Sequence, residues 1–121
     1  MASGSERRSK RRLVVGPEVS LHFQVQTVVY QEVSITNLSA DGCFATLPRA
    51  GNPLFQQGTL LENFGFNHPD LKGEPMLARV AYVLGGGGGG RGGLELMGLG
   101  IHFSAGPILT GRLAAFIRSR N

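Results

Sequence analysis

The chain has 121 residues, a length that suits one domain and suffices to bury a core. Hydrophobic residues make up 41%, yet no stretch approaches the roughly 20 apolar residues of a membrane helix, so a soluble globular fold is expected. The net charge of +4 sits in one place: Arg7, Arg8, Lys10, Arg11 and Arg12 stand against Glu6, while the remaining chain balances seven basic with seven acidic residues. Residues 1–12 therefore read as a flexible basic arm, and 13–121 as the folded body. A basic arm on a neutral body binds anions, whether nucleic acid, lipid head groups or phosphate ligands. The start is charged and is followed only by Leu13-Val14-Val15 before Gly16-Pro17, too short an apolar run for a signal peptide. A single cysteine, Cys43, cannot form an internal disulfide and fits a reducing cytoplasm, where it is expected as a small buried apolar residue.

Gly16-Pro17 is a turn signal. Val19, Leu21, Phe23 and Val25 then alternate with polar residues, which predicts a strand with one buried face. Val28 to Ile35 predicts a second strand running into Asn37. Phe44 to Leu47 predicts a third, ended by Pro48, and Gly51-Asn52-Pro53 a loop. Thr59 to Phe66 reads as a fourth strand, broken by Asn67-His68-Pro69-Asp70. Met76 to Leu84 reads as a fifth, with Leu77, Arg79, Ala81 and Val83 on one side of the pleat and Met76, Ala78, Val80 and Tyr82 on the other. Glu95 to Phe103 is a sixth. The glycine run 85–93, broken only by Arg91, reads as a flexible hairpin loop between the last two. With no helix predicted after it, it is no dinucleotide site.

From Pro107 the period changes. Leu109, Leu113, Phe116 and Ile117 recur at helical spacing and predict one apolar stripe over about 107–118. Pro107 suits the first helical turn, and Arg118 and Arg120 the negative C-terminal end. Six antiparallel strands and one terminal helix make a mainly β chain, and closing the sheet into a barrel removes its exposed edges.

Two motifs carry chemistry. Arg7-Arg8-Ser9-Lys10-Arg11-Arg12 contains Arg-x-x-x-Arg, from Arg8 to Arg12. Asn37-Leu38-Ser39-Ala40-Asp41-Gly42 reads Asn-x-Ser-x-x-Gly. Alone, the first reads as a solvated tail or a nucleic-acid contact, and the second as an Asx or Ser turn. In this order, with strand patterns around the second, the pair resembles the ligand-binding signature of the PilZ domain family. Gly100-Ile101-His102-Phe103 is similar to a later strand motif of that family. The resemblance runs from about Glu6 to the terminal helix. It implies a PilZ-like six-stranded split barrel that receives the bacterial second messenger cyclic di-GMP.

That ligand has two phosphodiester charges and two guanines, and a planar guanidinium matches both phosphate and the O6/N7 edge of guanine. The resemblance implies that Arg8 and Arg12 hold phosphate and guanine, that Arg7 assists, and that Asn37, Ser39 and Gly42 read the second guanine face. Asn37 and Ser39, two apart, would point the same way. Gly42 would supply a positive φ or close approach of the ligand. Arg11 is a further candidate, and Tyr82 is a candidate for stacking on guanine. No cofactor or metal is implied, and no membrane insertion.

With no second domain in these residues, the expected output is contact with a protein partner, from a cytoplasmic monomer or ligand-dependent dimer. The enzyme reading is weak. His22, His68 and His102 are scattered and show no metal-ligand spacing, and the acids show no general acid–base pairing. The competing readings are a PilZ-like protein-interaction module that does not bind cyclic di-GMP, and a basic-arm nucleic-acid-binding barrel. The latter gives Asn37, Ser39 and Gly42 no role.

Overall fold

The computed structural model describes residues 13–48, 55–74, 76–85 and 96–120. Arg7, Arg8, Arg11 and Arg12, the Gly51-Asn52-Pro53 loop, Glu95 and almost all of the glycine run lie outside the described residues.

Among the described residues seven strands and one helix follow in chain order: β1 (Leu13–Val14), β2 (Ser20–Val25), β3 (Val28–Leu38), β4 (Gly42–Pro48), β5 (Leu60–Phe66), β6 (Met76–Leu84), β7 (Leu96–Ala105) and α1 (Pro107–Arg120). The six expected strands are β2 to β7. Every pairing is antiparallel, in the order β3-β2-β5-β6-β7-β4, and β4 returns to β3 to close the barrel. The seventh strand, β1, continues beside the far end of β3, with Leu13 opposite Leu38 and Val14 opposite Asn37.

Alternation in β2 is regular: Leu21, Phe23 and Val25 are buried, while Ser20, His22 and Gln24 are partly exposed. In β3 and β5 the buried phase is kept by β-bulges, each inserting one residue and turning the strand by half a pleat. In β3, Gln31 and Glu32 together face His22, so Tyr30 and Val33 can both point inward; Thr36 is the extra residue against β4, so Ile35 and Leu38 can both point inward. In β5 the extra residue is near Asn63, whose φ of 54° is left-handed, and Leu61 and Phe64 are both buried across it.

The bulge in β6 corrects the expected pleat. Val80 pairs with Ile101 and Tyr82 with Gly100, which leaves Ala81 as the extra residue. Up to Val80 the two sides separate as expected, with Leu77 and Arg79 facing out and Ala78 and Val80 facing in. Beyond Ala81 the faces exchange: Val83 packs against the core and Tyr82 points out, 47% exposed.

The interior is one apolar cluster of aliphatic side chains and phenylalanine rings. Phe64 lies 6.3 Å from Phe23, 5.9 Å from Phe66 and 5.8 Å from Phe103, and Phe66 meets Phe103 edge-on at 5.7 Å. Such ring pairs contribute about 0.5–1.5 kcal/mol each beyond area burial. Cys43 is buried in the same cluster. The four stripe residues of α1, Leu109, Leu113, Phe116 and Ile117, are all buried in it as well. The helix runs to Arg120, whose guanidinium stacks 3.8 Å over the Phe116 ring. His68 meets the same ring edge-on at 5.0 Å, which holds α1 against the segment after β5. No helix among the described residues is long and apolar enough to cross a membrane.

Candidate functional site

The registers of four pairings place five residues in one row across the outside of the barrel. Val14 is opposite Asn37, Asn37 opposite Phe44, Phe44 opposite Gly100, and Gly100 opposite Tyr82. The neighbours of these residues along each strand, Leu13, Leu38, Cys43, Leu99 and Ile101, are buried in the core, so the row itself faces out. Val14 at one end is 84% exposed and Asn37 is half-buried. Adjacent strands are about 4.8 Å apart, so the row spans roughly 19 Å from β1 to β6.

The turn after β3 is tied tightly. The Ser39 amide donates to the Gly42 carbonyl at 2.8 Å, and the Phe103 amide donates to the Asp41 carbonyl at 2.9 Å. The Ser39 hydroxyl lies 3.2 Å from both the Asp41 carboxylate Oδ1 and the Gly42 carbonyl. Ser39 is 2% exposed and Asn37 half-buried, so the two do not share an environment, and Ser39 turns its hydroxyl into the turn.

Gly42 is not among the positive-φ glycines, which are Gly58 and Gly73 in the described residues. Its requirement is space. A Cβ there would stand 2.7 Å from the backbone carbonyl oxygen of Ile101, so β7 approaches β4 where a side chain would intrude. Of the two reasons expected for Gly42, a positive φ is therefore not met, and within the fold the group that comes close to it is the Ile101 carbonyl.

Two aromatic rings floor the middle of the row. The Tyr82 ring covers Gly100, and the end of the Phe44 ring covers Gly98; a Cβ on either glycine would overlap the ring above it. The ring centroids are 6.3 Å apart with the planes 30° from parallel, so the rings lie side by side. Next along β7, His102 faces out between Gly42 and Arg79. The Arg79 guanidinium donates to the Gly58 carbonyl at 3.1 Å.

Of the candidates read from the sequence, the fold brings Asn37 and Tyr82 to one face and puts Gly42 and Ser39 in the adjoining turn. Arg7, Arg8, Arg11 and Arg12 lie outside the described residues; in sequence, Arg12 directly precedes Leu13, the neighbour of Val14 at the head of the row. Phe44 was not read as a candidate. Its signal was its place two residues after Gly42, which puts both on one face of β4. Among the described residues no three His, Cys, Asp or Glu side chains are grouped to hold a metal ion.

Protein-family models do not match the chain, and curated proteins do not match it either. Among solved structures, the fold is similar to that of MrkH, described as a novel c-di-GMP dependence transcription regulatory factor, with a TM-score of 0.69 at 14% sequence identity. The match covers 93% of this chain and 50% of MrkH, so the chain spans about half the length of that protein, and at this identity the likeness is one of fold.

Proposed function

We propose that this chain is a PilZ-like receptor for cyclic di-GMP, acting by binding rather than catalysis. The observation that carries the reading is the outward row: Asn37 lies between the strand that leads out of the basic arm and the Tyr82 ring. A ligand with anionic phosphates and aromatic bases needs those three kinds of group on one face. The c-di-GMP dependence named for MrkH, whose fold is similar, supports the same class.

In this reading the guanidinium groups of Arg8 and Arg12, assisted by Arg7 and Arg11, close over a ligand seated on the row. Arg8 and Arg12 are four positions apart, and a segment of that length reaches at most about 14 Å when extended. The arm can therefore lie over Phe44 and Tyr82. An asparagine amide carries both a donor and an acceptor, the kinds of group that a guanine edge pairs with, and Asn37 is the residue of the row that has one. Ser39 and Gly42 support it by holding the turn. Binding orders the arm, with the entropy cost taken from the interaction energy, and the covered barrel face becomes a surface for a protein partner.

The test is calorimetric titration of cyclic di-GMP into the chain, with GTP as control. Charged hydrogen bonds contribute about 1.5–3 kcal/mol each, so Arg8→Ala or Arg12→Ala should weaken binding by roughly tenfold to a hundredfold. Saturable binding that GTP does not reproduce and the double variant loses would support the receptor. No heat at tens of micromolar ligand would refute it and favour a PilZ-like module that works through protein contacts alone.

A further inference from the structure

We infer that Phe44 is a second base-stacking residue, so that the ligand face is a two-ring floor rather than a single Tyr82 ring. This rests on the reading of the ligand as a cyclic dinucleotide.

Three separate features of the chain converge on the floor. First, β7 devotes its outward positions 98 and 100 to glycine, and each is covered by a ring from a neighbouring strand. Glycine inside a strand weakens it and marks close approach of another group. Second, the bulge at Ala81 turns Tyr82 outward and so brings it beside Phe44; without the extra residue, Tyr82 would share the inward phase of Val80. Third, Phe44 is half-buried on the outer face of β4, in register with Asn37 on one side and Gly100 on the other.

The two rings are tilted by 30° with centroids 6.3 Å apart, which makes an aromatic surface longer than one six-membered ring. A bicyclic purine suits such a floor better than a lone phosphate or a sugar does. The basic arm leads into β1 at the head of the same row, so the ligand the face suits is both aromatic and anionic. Stacking platforms paired with basic segments recognise nucleotides in this way. The competing account is that Phe44 merely shields Gly98, as aromatic residues do over glycines in sheets.

The experiment uses the full chain and cyclic di-GMP. The chain contains no tryptophan, so Phe44→Trp introduces a lone indole into the floor. The expected results are binding within about threefold of wild type by Phe44→Trp with indole emission quenched at saturation, and roughly tenfold weaker binding by Phe44→Leu. Phe44→Leu keeps an apolar cover over Gly98 but removes the ring, and circular dichroism checks its fold. Wild-type affinity in Phe44→Leu, together with unchanged emission of a Phe44→Trp chain that still binds, would overturn the inference and leave the receptor standing. Absence of binding by wild type would overturn both.

Discussion

Gly42→Ala separates two reasons for a glycine in the Asn-x-Ser-x-x-Gly turn. If the residue leaves room for ligand, alanine should lower affinity and spare stability. The structure gives the other reason. The new Cβ would lie 2.7 Å from the Ile101 carbonyl oxygen, a backbone atom held in the continuous β4–β7 ladder from Gly42↔His102 to Pro48↔Leu96. The overlap cannot be relieved by rotating a side chain, so the strands must part at the end of the ladder. That end also carries the Ser39 amide bond to Gly42 and the Phe103 amide bond to Asp41. Overpacking of this kind costs about 1–3 kcal/mol. For a domain of this size the cost corresponds to a thermal midpoint lowered by roughly 4–12 °C. Thermal and urea unfolding of the ligand-free protein measure it. A midpoint within about 1 °C of wild type would refute the packing argument, and lost affinity in that same variant would return the glycine to the ligand.

Other outcomes follow from the core, the bulges and one partly buried tyrosine hydroxyl. Phe116→Ala removes a ring that is 4% exposed, meets His68 and carries the Arg120 guanidinium; it should cost about 3–5 kcal/mol, and a loss below 1 kcal/mol in urea unfolding would detach α1 from the core. Asn63→Val places a β-branched residue at a φ of 54° and removes the amide bond to Gln24 Oε1 at 3.2 Å; a destabilisation of about 1–2 kcal/mol is expected, while Asn63→Gly should stay close to wild type. Equal urea midpoints for the valine and glycine variants would mean that the bulge is not held at Asn63. Burial raises the Tyr30 hydroxyl above its ordinary value of 10.0, so the folded chain keeps a proton that the unfolded chain releases. The stabilisation is complete below pH 10 and declines as pH rises through the folded value, so Tyr30→Phe should flatten part of the alkaline loss of stability. An identical decline in wild type and variant would exclude Tyr30 as its source.

Much of the architecture was legible in the residues alone, because two periods dominate this chain. The period-2 pattern of Leu21, Phe23 and Val25 and the helical recurrence of Leu109, Leu113, Phe116 and Ile117 set which faces must leave water, and all seven are buried. The strand count of the barrel and the terminal helix follow from those periods and from the turn residues between them. Asn37 and Tyr82 were legible as candidates through the resemblance that the two motifs carry.

What the tertiary structure decided is phase and company. A bulge is defined by the strand opposite it, so nothing in Val80-Ala81-Tyr82 announces that Ala81 is the extra residue; its pairing with Ile101 and Gly100 does, and that pairing turns Tyr82 from the core to the surface. The same holds for Asn63, Thr36 and the Gln31–Glu32 pair. Gly42 owes its lack of a side chain to the Ile101 carbonyl, 59 positions along the chain. Phe44, Gly98, Gly100 and Tyr82 become one floor only because β4 and β6 flank β7. Local periodicity records which side of a strand is apolar, whereas register between strands distant in sequence depends on barrel closure and the bulges that permit it.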